Sequence, residues 1–187
     1  MTWLVLPDEL GIDKAHYIGY SLGGTSGYVV AKHAPERFNT IIIGGVDPYG
    51  SAGTNASEDE RIEGLKKGME SVVASMEAAS GRQLPPERRA AMMDNDPKAL
   101  TASSIELRDF GGIEDSLLSM TMACLLFVGK EDFLYWGVTR CVKGTPYATM
   151  VPFPGLDHGQ AFQRSDLTLP RISSFLRNVE SSVPQQA

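Results

Sequence analysis

At 187 residues and 20.3 kDa, the chain is sized for one domain, or for one domain with a small insertion. Hydrophobic residues make up 42% and charged residues 21%, which excludes wholesale disorder, and no apolar run approaches the roughly 18 residues of a membrane helix. The net charge is −6, and the only basic doublets, Lys66-Lys67 and Arg88-Arg89, are short and have acids nearby, so they read as solvated helix faces and not as a nucleic-acid surface.

Two cysteines, Cys124 and Cys141, are too few for a disulfide framework and read as packing residues. The first seven residues, Met1 to Pro7, lack a basic n-region and run straight into Asp8 and Glu9, unlike a secretory signal. A reduced, cytoplasmic setting is the expectation.

Trp3, Leu6 and Leu10 are spaced to share a helix face, but Pro7 pushes Leu6 towards an extended conformation. A short helix is therefore expected over 7–11, ended by Gly11. Residues 15–19 read as a short buried strand, and Leu22 to Ala34 as a helix stopped by Pro35. Thr40 to Ile43 form a second strand, β-branched and apolar on both faces, as suits a parallel strand covered on both sides. Residues 45–56 read as a loop. Ser57 and Glu60 fit a capping box, followed by an apolar stripe of Ile62, Leu65, Met69, Val72 and Met76. Pro86 and Pro97 each sit where a first-turn proline opens a helix. Residues 57–120 are thus a run of helices without a strand.

Strand character returns at Cys124 to Val128 and at Ala148 to Pro152, with a helix over 134–143 between them. A tail helix carries Leu169, Ile172, Phe175, Leu176 and Val179 on one face. The expected fold class is α/β, a parallel sheet with right-handed crossovers, helices on both faces and an inserted helical cap. Its expected division is 1–50 and 118–187 for the core and 51–117 for the cap.

Gly19-Tyr20-Ser21-Leu22-Gly23-Gly24 is G-x-S-x-G between a strand and a helix, the context a nucleophile elbow requires. The sharp turn strains the serine, and the flanking glycines admit close backbone. Ser21 Oγ then stands at a helix N-terminus, where the Leu22 N–H and the helix dipole can stabilise an oxyanion, with Tyr20 beside the substrate. The bland alternative is a Gly-rich helix start that binds a phosphate or merely turns.

A serine nucleophile needs a base, and the base an orienting acid. Of the three histidines, His16 lies inside a strand and His33 at a helix C-terminus, both structural positions. His158 lies in the loop after the last strand, and the carboxyl ends of parallel strands are where such sheets carry their sites. Asp132 occupies the equivalent place after the preceding strand. Glu131 and Asp157 compete with it; Glu131 reads as solvated, and Asp157 as a brace of its own loop. The order Ser21, Asp132, His158 is that of α/β-hydrolases.

The chain resembles the carboxyl-terminal two-thirds of an α/β-hydrolase of the esterase and lipase-like group with a helical cap. The resemblance rests on residues 19–24, on His-Ala-Pro-Glu-Arg-Phe at 33–38, on Leu-Leu-Phe-Val-Gly-Lys-Glu-Asp at 125–132, and on Pro-Gly-Leu-Asp-His at 154–158. It implies Ser21 as nucleophile, Asp132 as acid and His158 as base, acting on a small acyl substrate without metal or organic cofactor. It also implies further strands before the elbow and a His-Gly loop with a second oxyanion donor, so the chain reads as truncated at its amino end. Loss of one such donor lowers turnover by about 10²–10³. A sheet starting at the elbow strand leaves an apolar edge, from which a homodimer or higher oligomer is expected.

No Cys/His spacing suits a zinc site, and Gly44-Gly45 is too short for a phosphate loop. Met69, Met76, Met92 and Met93 suit a cap core or an apolar pocket equally.

Overall fold

The computed structural model describes residues 5–50, 55–109 and 112–182. Trp3, spaced in the sequence to share a helix face with Leu6 and Leu10, lies outside them. The chain forms two compact units, Met1–Ser51 with Gly112–Ala187, and Ala52–Gly111.

The first unit is built on four parallel strands, β1 (Ala15–Tyr20), β2 (Phe38–Gly44), β3 (Ala123–Gly129) and β4 (Ala148–Phe153), side by side in chain order. Ile41, Ile42 and Ile43 pair with Cys124, Leu125 and Leu126, and all six are buried. Successive residues of a strand face opposite ways. On one face Ile42, Leu125 and Phe127 cluster with Ile172, which lies in α9 (Ser165–Ser182). On the other, Ile43 lies so close to Gly24 and Gly27 of α2 (Leu22–His33) that a Cβ on Gly24 would collide with its methyl group. Helices therefore cover both faces, and the continuous apolar run in each central strand follows from that.

Two local expectations in this unit change. The first helix, α1, spans Val5–Glu9. Leu6 is helical and not extended, because Pro7 falls in the first turn, where its missing N–H is no loss. In α9, Ile172 is buried and Leu169 exposed, so Leu169 is not part of the packed face.

The second unit holds α3 (Asn55–Lys66), α4 (Met69–Ser80), α5 (Pro86–Met93) and α6 (Pro97–Asp109). Both prolines open helices, as expected from the sequence. Ser57 lies inside the first turn of α3 and is not its N-cap. The apolar stripe is divided between two helices, because Gly68 takes φ +102° and breaks the chain there. Ile62, Leu65 and Met69 are buried together with Val73, while Met76 is largely exposed.

The division also falls earlier than the expected 117. The 3-10 turn Glu114–Ser119 belongs with the sheet. The Ile113 N–H donates to the Pro48 carbonyl at 2.9 Å, Glu114 pairs with Arg140, and Leu117 is buried. Among the described residues no helix is long and apolar enough to cross a membrane, and β1 has a single strand neighbour.

Candidate active site

β1 delivers the chain to Ser21, which takes φ 52° and is the one non-glycine residue with positive φ among those described. That conformation is costly for an L-residue and persists where its surroundings impose it. Here the Ser21 N–H donates to the Gly44 carbonyl at 2.9 Å, and its own carbonyl accepts from the Thr25 N–H at 2.9 Å. A Cβ on Gly19 would collide with the Gly23 carbonyl, so glycine is required there. A Cβ on Gly23 would meet nothing within 4 Å. The close-approach argument thus holds for one of the two motif glycines.

Asp132 follows β3. Its side chain is fully enclosed, and Oδ1 accepts from the Leu134 N–H at 3.0 Å. Glu131, its competitor, is exposed. His158 follows β4 as the first residue of α8 (His158–Gln163). Asp157 caps this helix: its carboxylate accepts from the Gln160 N–H, and the Gln160 side chain accepts from the Asp157 N–H. The brace expected of Asp157 is this capping box.

The three side chains form one hydrogen-bonded line. His158 Nδ1 lies 2.8 Å from Asp132 Oδ2, and Nε2 lies 3.1 Å from Ser21 Oγ. An ionised carboxylate only accepts, so Nδ1 is the protonated nitrogen and donates to it. In the neutral ring Nε2 is then an acceptor, and the Ser21 hydroxyl donates to it. Leu22 is the first residue of α2, and the leading N–H groups of a helix have no intrahelical acceptor. The arrangement can deprotonate a hydroxyl at Ser21 and place a helix dipole beside it.

The other histidines are elsewhere. His16 Nδ1 is 2.8 Å from Thr40 Oγ1, and Nε2 is 3.8 Å from Glu180. His33 is exposed at the end of α2. Among the described residues no three of His, Cys, Asp and Glu are grouped as a metal site requires.

Tyr20 lies against His158. Its hydroxyl donates to the His158 carbonyl at 2.6 Å, and its ring lies 5.2 Å from the imidazole. Burial, then the charges of Asp132 and Asp157, hold its phenol well above its ordinary pKa. Sequence reasoning missed two aromatic neighbours. Phe133 is 70% and Phe162 66% exposed; their rings lie 5.8 Å from His158 and 5.2 Å from Tyr20, respectively. Their positions one residue after the acid and four after the base were the only available signal.

This is the fold of the α/β-hydrolases, present here in part. No family model matches the chain. A 2-hydroxy-6-oxononadienedioate/2-hydroxy-6-oxononatrienedioate hydrolase of Cupriavidus pinatubonensis is 26% identical, over 91% of this chain and 65% of its own length. One of the same description from Burkholderia vietnamiensis is also 26% identical, over the same shares. The chain thus spans just under two-thirds of the curated relatives it matches. Among solved structures, a hydrolase from Pseudomonas aeruginosa superposes with a TM-score of 0.80 at 25% identity, covering 94% of this chain and 69% of that one. The enol-lactonase of Burkholderia xenovorans gives 0.78 at 18% identity, covering 94% and 70%.

Proposed function

We propose that the protein is a serine hydrolase acting on a small carboxylic ester or related acyl compound. The reading is carried by the unbroken line Asp132–His158–Ser21, with contacts of 2.8 and 3.1 Å, ending on a strained serine at a helix start. Ser21 Oγ attacks the acyl carbon as its proton passes to His158 Nε2. Asp132 holds the resulting imidazolium, and the Leu22 N–H faces the oxyanion. The tetrahedral adduct collapses, and Nε2 returns the proton to the departing alkoxide. Water then attacks the acyl-enzyme by the same route, releasing the acid and restoring Ser21. The exposed rings of Phe133 and Phe162 favour an apolar or aryl substituent.

The test is turnover of short p-nitrophenyl esters and of 2-hydroxy-6-oxononadienedioate by wild type and Ser21→Ala. Activity in wild type, lost by about 10⁴-fold or more in the variant, is expected. Equal rates sink the reading. Covalent labelling of Ser21 by a fluorophosphonate without turnover marks a catalytically impaired scaffold. The reading extends to association: a second copy pairs along β1, where Ile18 is 54% exposed. Sedimentation of a clean monomer at micromolar concentration overturns that part.

A further inference from the structure

Tyr20 and the Gly44-Gly45 pair have no role in the chemistry above, yet they fit one another. Tyr20 ends β1 and Gly44 ends β2, paired across the sheet. A Cβ on Gly44 would collide with the Tyr20 ring, and one on Gly45 with its Cζ and hydroxyl. Gly45 also holds φ +64°, and its N–H donates to the Phe127 carbonyl at 2.9 Å, tying β2 to β3 beside the ring. The glycine pair clears a slot across the sheet end, and the Tyr20 ring fills it against Phe127 at 5.7 Å and Phe162 at 5.2 Å.

From that slot the hydroxyl reaches the backbone of the base, donating to the His158 carbonyl at 2.6 Å. The phenol keeps its proton, and so remains a donor, through neutral and mildly alkaline pH. The segment it holds is short: α8 is six residues long, capped by Asp157, with Ala161 buried and Gln160, Phe162 and Gln163 exposed.

We propose that Tyr20 is a positioning residue, a latch that fixes the His158 backbone so that the imidazole stays between Ser21 and Asp132. The latch and the nucleophile are consecutive residues. The base is therefore tied to the elbow itself as well as to the loop after β4. An error of about 1 Å in such a line lowers turnover up to 10²-fold. This inference rests on the hydrolase reading for its kinetic arm and not for its structural arm.

The experiment compares wild type, Tyr20→Phe and Tyr147→Phe, an exposed tyrosine as control. Ester kinetics and amide hydrogen exchange are read on each. In Tyr20→Phe, kcat is expected to fall about tenfold with KM within twofold, as for a lost orienting bond. Exchange at Gly159 to Gln163 is expected to quicken about tenfold, while Ile41 to Ile43 exchange as in wild type. Tyr147→Phe is expected to change neither. Unchanged kcat and unchanged α8 exchange overturn the latch, as does quickened exchange throughout β2, which marks general loosening. If wild type does not turn over esters, the hydrolase reading fails separately, and exchange at α8 alone decides the latch.

Discussion

Asp132 in the sheet unit and Glu58 in the helical unit are both enclosed carboxylates, with side chains 0% and 6% exposed. Asp132 has a partner for each oxygen, the Leu134 N–H and His158. Glu58 has the Arg61 guanidinium at 3.4 Å from Oε1 and no partner for Oε2 among the described residues. A buried charge is tolerated where every lone pair is answered, and a half-answered one is a standing cost of about 1–3 kcal/mol. Asp132 is therefore a charge held as part of a device, whereas Asp47, buried in the same unit, is half-answered like Glu58, with no partner for its Oδ2 among the described residues. The helical unit is held by apolar contacts and exposed ion pairs such as Asp59–Arg108, and it carries polar burial it does not exploit.

The largest expected effect breaks the device. Asp132→Asn keeps the shape but can no longer fix the imidazole tautomer, and kcat falls about 10⁴-fold while the melting temperature stays within a few degrees. A fall below tenfold in steady-state ester kinetics refutes the assignment. Next is the core that supports it. Leu125→Ala removes a buried side chain from the central strands, and a loss of about 3 kcal/mol is expected in urea unfolding. In the same measurement Arg89→Ala, which deletes the exposed Glu70 pair, shifts stability by less than about 1 kcal/mol. Comparable losses in the two variants erase the contrast between the units.

The third effect is pH-dependent. Burial pushes the Tyr28 phenol well above 10.0, and burial with the nearby Cys141 pushes the Cys124 thiol from 9.0 up to about 12. The folded chain keeps protons that the unfolded chain releases. Stability from these groups is complete below about pH 9 and declines as pH rises from there. The melting temperature is expected to drop between pH 9 and pH 11, and less steeply in Tyr28→Phe; a flat profile contradicts it. The smallest effect is the counterpart of the first. Glu58→Gln is expected to raise stability by up to about 1 kcal/mol and to leave kcat unchanged. A clear destabilisation shows that Oε2 has a role.

The elbow was legible because G-x-S-x-G constrains backbone and chemistry together, and His158 because the other two histidines sit inside a strand and at a helix end. The two central strands were legible from continuous apolar runs, which a doubly covered sheet favours. What escaped depends on distant backbone. Tyr20 is held by a carbonyl 138 residues away, and no local pattern marks that. The slot glycines looked like a failed phosphate loop because the ring they admit comes from another strand. Ser57 fitted a capping box, yet α3 already includes Asn55. Pattern marks a helix better than it marks its first residue.

The junction at Pro48 and Ile113 has a further consequence. The chain leaves the sheet unit after Ser51 and re-enters it at Gly112, and within that unit the Pro48 carbonyl accepts the Ile113 N–H at 2.9 Å. Gly112, at φ +80°, passes so near the Pro48 carbonyl that a Cβ would collide with it. Departure and return are thus stitched together, and what lies between is a cassette. Loop length enters chain entropy only logarithmically. Residues 52–111 are therefore replaceable by a short Gly-Ser bridge, or by a foreign helical module, at little entropic cost to the pairing of β2 with β3. The hydrogen-bonded line Asp132–His158–Ser21 lies wholly within the unit on which that junction closes.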